Sequence, residues 1–157
     1  MELIDFVDLA QKEMLMILGW RNHENIKKWM YVQDEISVDA HFGFIDELQF
    51  SKSRQYMAVK KDNKYVGVVD FTKIDGTNKE CYFGLYANPF EEISGIGRVL
   101  EEVCLKYILD LLILNKIKLE VFSDNVRALN LYKKYNFKRV GMKSVNNKQV
   151  ICMELVN

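Results

Sequence analysis

The sequence feature that most constrains the fold is a long apolar stripe between residues 96 and 112. Apolar side chains recur there every three or four positions, the period of an α-helix with one broad face turned to a core. The stripe consists of Ile96, Val99, Leu100, Val103, Cys104, Tyr107, Ile108, Leu111 and Leu112. Because one helix cannot bury such a face alone, we expect it to pack against a sheet formed by other parts of the chain.

A glycine turn opens this helix. Gly95 and Gly97 stand at its start, after a β-prone run that ends near Pro89. The first N–H groups of a helix have no internal partners and lie at the positive end of its dipole, so this turn is suited to a diphosphate, and Arg98 adds positive charge. The glycines could instead serve only a tight turn or a close helix–strand contact. A dinucleotide-binding fold would need a third glycine and an early βαβ unit, and neither is present.

A second segment, residues 125–132, places a tyrosine on another helix. Ser123 or Asp124 is its predicted N-cap, and Asn136 is predicted to end it in the left-handed conformation. Two interpretations of Tyr132 remain open at this point. The ring could pack between helix and sheet, or the hydroxyl could protonate a thiolate that leaves during acyl transfer.

The rest of the chain predicts alternating elements around these two helices. The first third is mainly helical after a strand at residues 2–7, and a β-hairpin turns at Asp62 and Asn63. Three helices are predicted in this third. The first has its cap at Asp8 and ends at Gly19, and the second is short and contains Ile26, Trp29 and Met30. The third has its cap at Ser37 and continues through Leu48. Further strands are predicted at residues 81–86, 117–122, 137–142 and 150–156, with a turn at Asn146 and Asn147.

Composition predicts one domain over residues 1–157, without a membrane anchor. Lysine plus arginine equals aspartate plus glutamate at 22 each, which removes the global electrostatic argument for binding nucleic acid. Cys81, Cys104 and Cys152 are too far apart for a zinc motif or a disulfide framework, so no metal is expected and a cytoplasmic location fits best.

Residues 92–100 and 125–137 resemble the signature of the GNAT acetyltransferase superfamily, Q/R-x-x-G-x-G/A-x-x-L followed by N-x-x-A-x-x-L-Y-x-x-x-G-F. Glu92 replaces the usual Gln or Arg, and Asn136 replaces Gly. The resemblance implies an α+β fold of α/β/α layers, in which helices flank a mostly antiparallel twisted sheet of about seven strands that splay at the acetyl-CoA site. It implies acetyl-CoA as co-substrate, bound by Leu85, Tyr86, Gly95, Ile96, Gly97, Arg98, Asn125 and Tyr132. Tyr132 is then the general acid, and transfer is direct, in a ternary complex.

The amino-terminal segments resemble one branch of that superfamily, which acetylates a UDP-linked aminosugar. The implied acceptor is UDP-4-amino-4,6-dideoxy-N-acetyl-β-L-altrosamine, acetylated on its 4-amine in pseudaminic acid biosynthesis for flagellin glycosylation. The chain offers groups suited to such a ligand in Arg21, His41, Thr72, Lys73 and Tyr86. Arg21 and Lys73 could equally be solvated surface charges, and His41 could belong to the core.

Glu120 is the best-placed carboxylate to take a proton from the attacking amine, through ordered water. A purely structural hydrogen bond or salt bridge is the alternative. Two other functions also remain open: acetylation of protein N-termini, as by acetyltransferases of the ribosomal-protein type, and a noncatalytic CoA-binding module. The expected partner is a small molecule rather than nucleic acid or membrane, and a homodimer is left open.

Overall fold

The computed structural model describes residues 1–157, which form a seven-stranded sheet with helices on both faces. The strands are β1 (Glu2–Asp5), β2 (Gln55–Lys61), β3 (Lys64–Asp75), β4 (Glu80–Ala87), β5 (Lys116–Phe122), β6 (Lys138–Val145) and β7 (Lys148–Val156). The helices are α1 (Gln11–Arg21), α2 (Glu24–Lys27), α3 (Val38–Leu48), α4 (Ile96–Lys106) and α5 (Val126–Lys134). The spatial strand order is β1-β2-β3-β4-β5-β7-β6, and the predicted α+β class is confirmed. None of the helices is long and apolar enough to cross a bilayer.

The sheet is antiparallel except between β4 and β5, where it opens. These two strands run parallel and pair over only three positions, the last of them Tyr82 with Lys118. Beyond that point they separate, and the side of β4 that faces β5 has no strand partner. Because helices α4 and α5 follow β4 and β5 in the chain, both helices begin at the mouth of this opening.

Each face of the sheet carries its own hydrophobic core. The apolar stripe of α4 lies in the larger cluster of 19 buried residues, with Leu100, Cys104 and Ile108 fully buried. The stripe therefore packs against the sheet as expected except at Leu111, which is exposed at the end of a π-helical turn, Tyr107–Leu111, that extends the helix. The other face carries a smaller cluster under α1 and α3, which includes Ile17 and Ile45.

The turn predictions hold where single residues adopt the left-handed backbone. Asp62 and Asn63 have φ values of 50° and 64° in the β2–β3 turn, and Asn136 has 70° at the end of α5. Asn146 and Asn147 lie in the β6–β7 turn with 53° and 62°. Asparagine tolerates this region better than most residues, so the residue types at these positions predicted the turns correctly. Ser37 caps α3 as predicted, its side chain accepting from the amide of Ala40.

Several predicted boundaries are wrong. The first strand stops at Asp5 because Phe6–Asp8 form a 3₁₀ turn, and α1 begins only at Gln11. Helix α1 runs through Gly19 to Arg21, since packing of its buried face outweighs the weak helix propensity of one glycine.

Two further boundaries also differ from the predictions. Helix α2 ends before Trp29 and Met30. The N-cap of α5 is Asn125 rather than Ser123 or Asp124.

Candidate active site

The start of α4 presents free backbone donors at the mouth of the opening. Gly95 is the N-cap with φ 73°, a conformation that glycine adopts without strain. The amides of Gly97 and Arg98 donate no hydrogen bond within the chain, whereas Val99 already donates to Gly95. A Cβ on Gly97 would lie 3.6 Å from Leu131 Cδ2, so α5 rests against this turn. The predicted anion site is therefore geometrically available.

Asn125 and the end of β4 line the two sides of the opening. Leu85 and Tyr86 lie beyond the last residue of β4 that pairs with β5. Across the gap, Asn125 follows β5 and caps α5 by accepting from the amide of Ala128 at 3.3 Å. That bond uses its Oδ1 and leaves the Nδ2 donors free. The fold thus brings the predicted cofactor segments to one opening, although they are far apart in sequence.

The ring of Tyr132 packs between helix and sheet, and its role as proton donor stays a prediction. Its ring is 8% exposed and packs edge-on against Phe83 and Phe137, with centroids 5.9 Å apart in each pair. The hydroxyl has no hydrogen-bond partner within the chain. Burial raises the pKa of Tyr132, and the nearby Glu101 raises it further, so the group is a protonated phenol at neutral pH. It can donate a proton but holds it tightly in the free protein.

Glu120 lies on β5 and is held by two side chains that sequence reasoning missed. Tyr31 donates to its Oε1 at 2.6 Å, and Lys143 Nζ lies 2.8 Å from its Oε2. Burial alone would raise the pKa of Glu120, but the hydrogen bonds from Lys143 and Tyr31 outweigh it and lower the pKa. The carboxylate is therefore ionised at neutral pH. No local motif marks Tyr31 or Lys143, and only the tertiary structure reveals them.

Two lysine side chains lie beside the ring of Tyr82, on the same face of the sheet as Glu120. Lys73 Nζ lies 5.0 Å from the centroid of Tyr82, and Lys118 Nζ lies 5.6 Å from it. Lys118 is paired with Glu80 at 2.5 Å, whereas Lys73 makes no ion pair. The half-buried Thr72 faces Tyr82 across the β3–β4 register. This arrangement suits an anionic ligand with a flat or sugar-like part.

Arg21 ends α1 and carries an unsatisfied buried donor. Its Nη2 donates to the carbonyl of Val32 at 3.1 Å, while its Nη1 is buried without a partner. Burial lowers the pKa of Arg21, and the neighbouring Tyr86 and Tyr56 oppose that shift. An orphaned guanidinium nitrogen costs free energy unless a ligand supplies an acceptor. Arg21 is thus not the solvated surface charge of the alternative interpretation.

His41 lies in the core, as the alternative interpretation of this residue predicted. It is 5% exposed, and its Nε2 lies 2.8 Å from the carbonyl of Met14, which ties α3 to α1. Burial lowers the pKa of His41, and the bond to Met14 only partly offsets this, so the ring is neutral. This contact accounts for the imidazole without a ligand, and its predicted contact with the acceptor stays a prediction.

A sheet parted between two parallel strands, with a bare helix N-terminus at the mouth of the gap, defines an acetyltransferase of the GNAT type. The chain belongs to the Acetyltransferase (GNAT) family, whose model matches residues 18–137. It is an acetyl-CoA-dependent N-acetyltransferase.

Relatives cover nearly the whole chain. Acetyltransferase PseH of Campylobacter jejuni subsp. jejuni serotype O:23/36 is 37% identical over 136 residues, which are 87% of this chain and 83% of that protein. The crystal structure of Campylobacter jejuni PseH in complex with acetyl coenzyme A superimposes with a TM-score of 0.81 at 29% identity, covering 99% of this chain and 98% of the other.

A second solved structure shares the fold alone. Vibrio cholerae spermidine N-acetyltransferase in complex with CoA and spermine superimposes with a TM-score of 0.88 at 21% identity, over 99% of this chain and 94% of the other.

Proposed function

We propose that this enzyme transfers acetyl from acetyl-CoA to the 4-amine of UDP-4-amino-4,6-dideoxy-N-acetyl-β-L-altrosamine, in pseudaminic acid biosynthesis for flagellin glycosylation. The observation that carries the proposal is the 37% identity to PseH over 87% of this chain. That match extends beyond the acetyl-CoA segments into the amino-terminal part. The three free cysteines, Cys81, Cys104 and Cys152, suit a reducing cytoplasm, where nucleotide sugars are available.

In this proposal the donor enters the opening between β4 and β5. The free amides of Gly97 and Arg98 hold the diphosphate of CoA at the start of α4, with Gly95 setting the turn and Ile96 anchoring it in the core. The backbone of Leu85 and Tyr86 and the amide of Asn125 hold the pantetheine arm from its two sides. The thioester then lies near the deepest part of the opening, where Tyr132 sits.

The acceptor lies on the sheet face beneath α1. Arg21 Nη1 and Lys73 are the two cationic groups there that lack anionic partners, and a nucleoside diphosphate supplies anions to both. Tyr86 covers the sugar, and Thr72 adds a hydroxyl. The contact of His41 with the carbonyl of Met14 holds α3 against α1, the helix above the acceptor.

The chemistry is one direct displacement. The amine nitrogen attacks the thioester carbonyl carbon, and the C–S bond breaks as the tetrahedral intermediate collapses. Glu120 takes a proton from the attacking nitrogen through an ordered water, and Tyr132 gives its proton to the departing sulfur. No cysteine is acylated on this route, in keeping with the burial of Cys81 and Cys104, which raises the pKa of both thiols.

Mass spectrometry of acceptors after incubation with acetyl-CoA tests the proposal. The 4-amino sugar nucleotide is expected to gain one acetyl group, and UDP is expected to compete with it. Spermidine and a peptide with a free N-terminus serve as rival acceptors under the same conditions. Efficient acetylation of either rival, with none of the sugar nucleotide, would reject the proposal.

A further inference from the structure

A second carboxylate, Asp70 on β3, lies on the acceptor face of the sheet. It pairs in register with Gly84 on β4. A Cβ built on Gly84 would lie 2.8 Å from Asp70 Oδ2 and 3.2 Å from Oδ1, too close for any side chain. Only glycine at position 84 therefore leaves room for this carboxylate. Gly84 directly precedes Leu85 and Tyr86, along which the pantetheine arm lies in the proposed function.

Nothing in the chain satisfies Asp70. Its carboxylate accepts no hydrogen bond and makes no ion pair, and burial alone raises its pKa to about 7. The titratable groups that interact with it are Tyr56 on β2 and Tyr86 on β4, with Cys81, Cys104 and Tyr132 behind the sheet, and Arg21 and Arg54 lie beside Tyr56. The two arginines lie too far away to form a salt bridge with Asp70.

Asp70 and Glu120 are therefore two very different carboxylates. Glu120 is held by Tyr31 and Lys143, which lower its pKa, so it is a weak base with little tendency to take a proton from an ammonium ion. Asp70 is unpartnered and, although largely buried, keeps some exposed surface at which a ligand can reach it. A carboxylate that titrates near neutral pH is well matched to accept a proton under working conditions.

We propose that Asp70 removes the first proton from the ammonium form of the acceptor before attack, and is thus a further catalytic residue. This inference rests on the proposed function for the placement of donor and acceptor at this face, and it requires only that the acceptor be a primary amine. The orphaned Nη1 of Arg21 on the same face then binds the anionic part of that molecule, while Asp70 receives its cationic end.

The protons balance over the whole reaction. Asp70 takes one proton from the ammonium, which makes the nitrogen lone pair available to attack the carbonyl carbon. A second proton leaves the nitrogen of the tetrahedral intermediate through water to Glu120, and Tyr132 protonates the sulfur as the C–S bond breaks. Tyr132 regains its proton from Glu120 through water, and Asp70 releases its own to solvent. One proton is released per amide formed.

The pH dependence of D70N and E120Q separates the two carboxylates. For D70N we expect kcat/KM to fall about 100-fold at pH 7, and to recover towards the parent value above the pKa of the acceptor amine, where solution supplies the free amine. For E120Q we expect a loss that high pH does not repair, because its proton leaves after attack. Asp46→Asn, the same change on the exposed side of α3, is the matched control and is expected to leave activity unchanged.

A second variant guards against misfolding. G84A keeps Asp70 but displaces its carboxylate, and is expected to reproduce the pH-dependent loss of D70N. Circular dichroism and acetyl-CoA affinity are expected to stay at parent values in D70N. D70N activity within about twofold of the parent at pH 7, or a loss that is the same at every pH, would overturn the proposal.

A titration of the free protein needs no acceptor. Carbon-13 NMR of labelled aspartate, assigned with D70N, is expected to show Asp70 titrating near pH 7, and titration below pH 5 would overturn the proposal. Acetylation of another primary amine, but not of the sugar nucleotide, by the parent enzyme would reject the proposed function. The pH profile of D70N would then be measured with that amine, so the role of Asp70 is tested separately.

Discussion

The hydroxyl of Tyr31 donates a 2.6 Å hydrogen bond to Glu120, across 89 residues of sequence. Asn146 in the β6–β7 turn donates to the carbonyl of the same tyrosine at 2.6 Å. The loop after α2 is therefore hydrogen-bonded to the β6–β7 end of the sheet. The bond brings the amino-terminal helical region, which carries the proposed acceptor site, into direct contact with the proposed base. The proposed base and a loop of the amino-terminal region thus share one hydrogen-bond network.

Removing that hydroxyl tests the network. In Tyr31→Phe we expect kcat/KM for the acceptor to fall about tenfold, since a hydrogen bond to a charged group contributes about 1.5 to 3 kcal/mol. The pKa of Glu120 is expected to rise, because the lost bond no longer lowers it. Tyr135→Phe is the matched control, since Tyr135 donates at 2.8 Å to the exposed Glu102 instead. Equal effects of both variants would refute the role of Tyr31.

Tyr132→Phe separates chemistry from packing. The hydroxyl has no partner within the chain, so its removal is expected to leave thermal stability unchanged. Acetyl-CoA affinity is expected to change little, because the ring of Tyr132 stays in place beside the proposed thioester position. We expect kcat to fall about 100-fold or more, because the departing thiolate loses its proton donor. Steady-state kinetics and calorimetric titration with acetyl-CoA provide the two measurements. An unchanged kcat would show that the sulfur leaves without this proton.

Glu101 is expected to weaken the fold in a pH-dependent way. Its side chain is fully buried on α4, both carboxyl oxygens lack partners, and burial raises its pKa to about 8. In the unfolded chain the pKa of Glu101 is about 4.3. Below that pH the residue is protonated in both states and its raised pKa does not affect stability. Between about pH 4.3 and pH 8 the free energy of unfolding falls as pH rises, and above pH 8 the loss is constant.

Glu101→Gln therefore should stabilise the protein by about 3 to 4 kcal/mol at pH 7 and by much less at pH 4. Urea unfolding at several pH values measures the difference. A gain that does not change with pH would show that the carboxyl is not the cause.

Gly95→Ala probes the donor site. Its φ of 73° costs a residue with a Cβ about 1 to 2 kcal/mol, so we expect lower stability and weaker acetyl-CoA binding as the turn distorts. Gly43→Ala in α3 is the control, since nothing lies within 4 Å of a Cβ there. That change should instead stabilise the helix by up to about 1 kcal/mol. Unaltered acetyl-CoA affinity in Gly95→Ala would contradict the assigned role of the turn.

Local pattern by itself determined the elements that carry the fold. The stripe of α4 repeats with the helical period, and the turns at Asp62, Asn136 and Asn146 depend on residues that tolerate the left-handed backbone. The two signature segments likewise predicted the start of α4 and the position of Tyr132. All of these are properties of residues near one another in the chain, which is why they can be read without the fold.

Only the tertiary structure decided which polar groups meet. Tyr31 and Lys143 reach Glu120 from opposite ends of the chain, and Glu101, beside the apolar stripe, is buried without a partner. Asp70 stands out only because the sheet register sets Gly84 against it. Burial and long-range pairing fix the charge state of each carboxylate, and neither is a property of neighbouring residues, so the sequence predicted the acetyl donor's site while the fold decided the environment of the reacting protons.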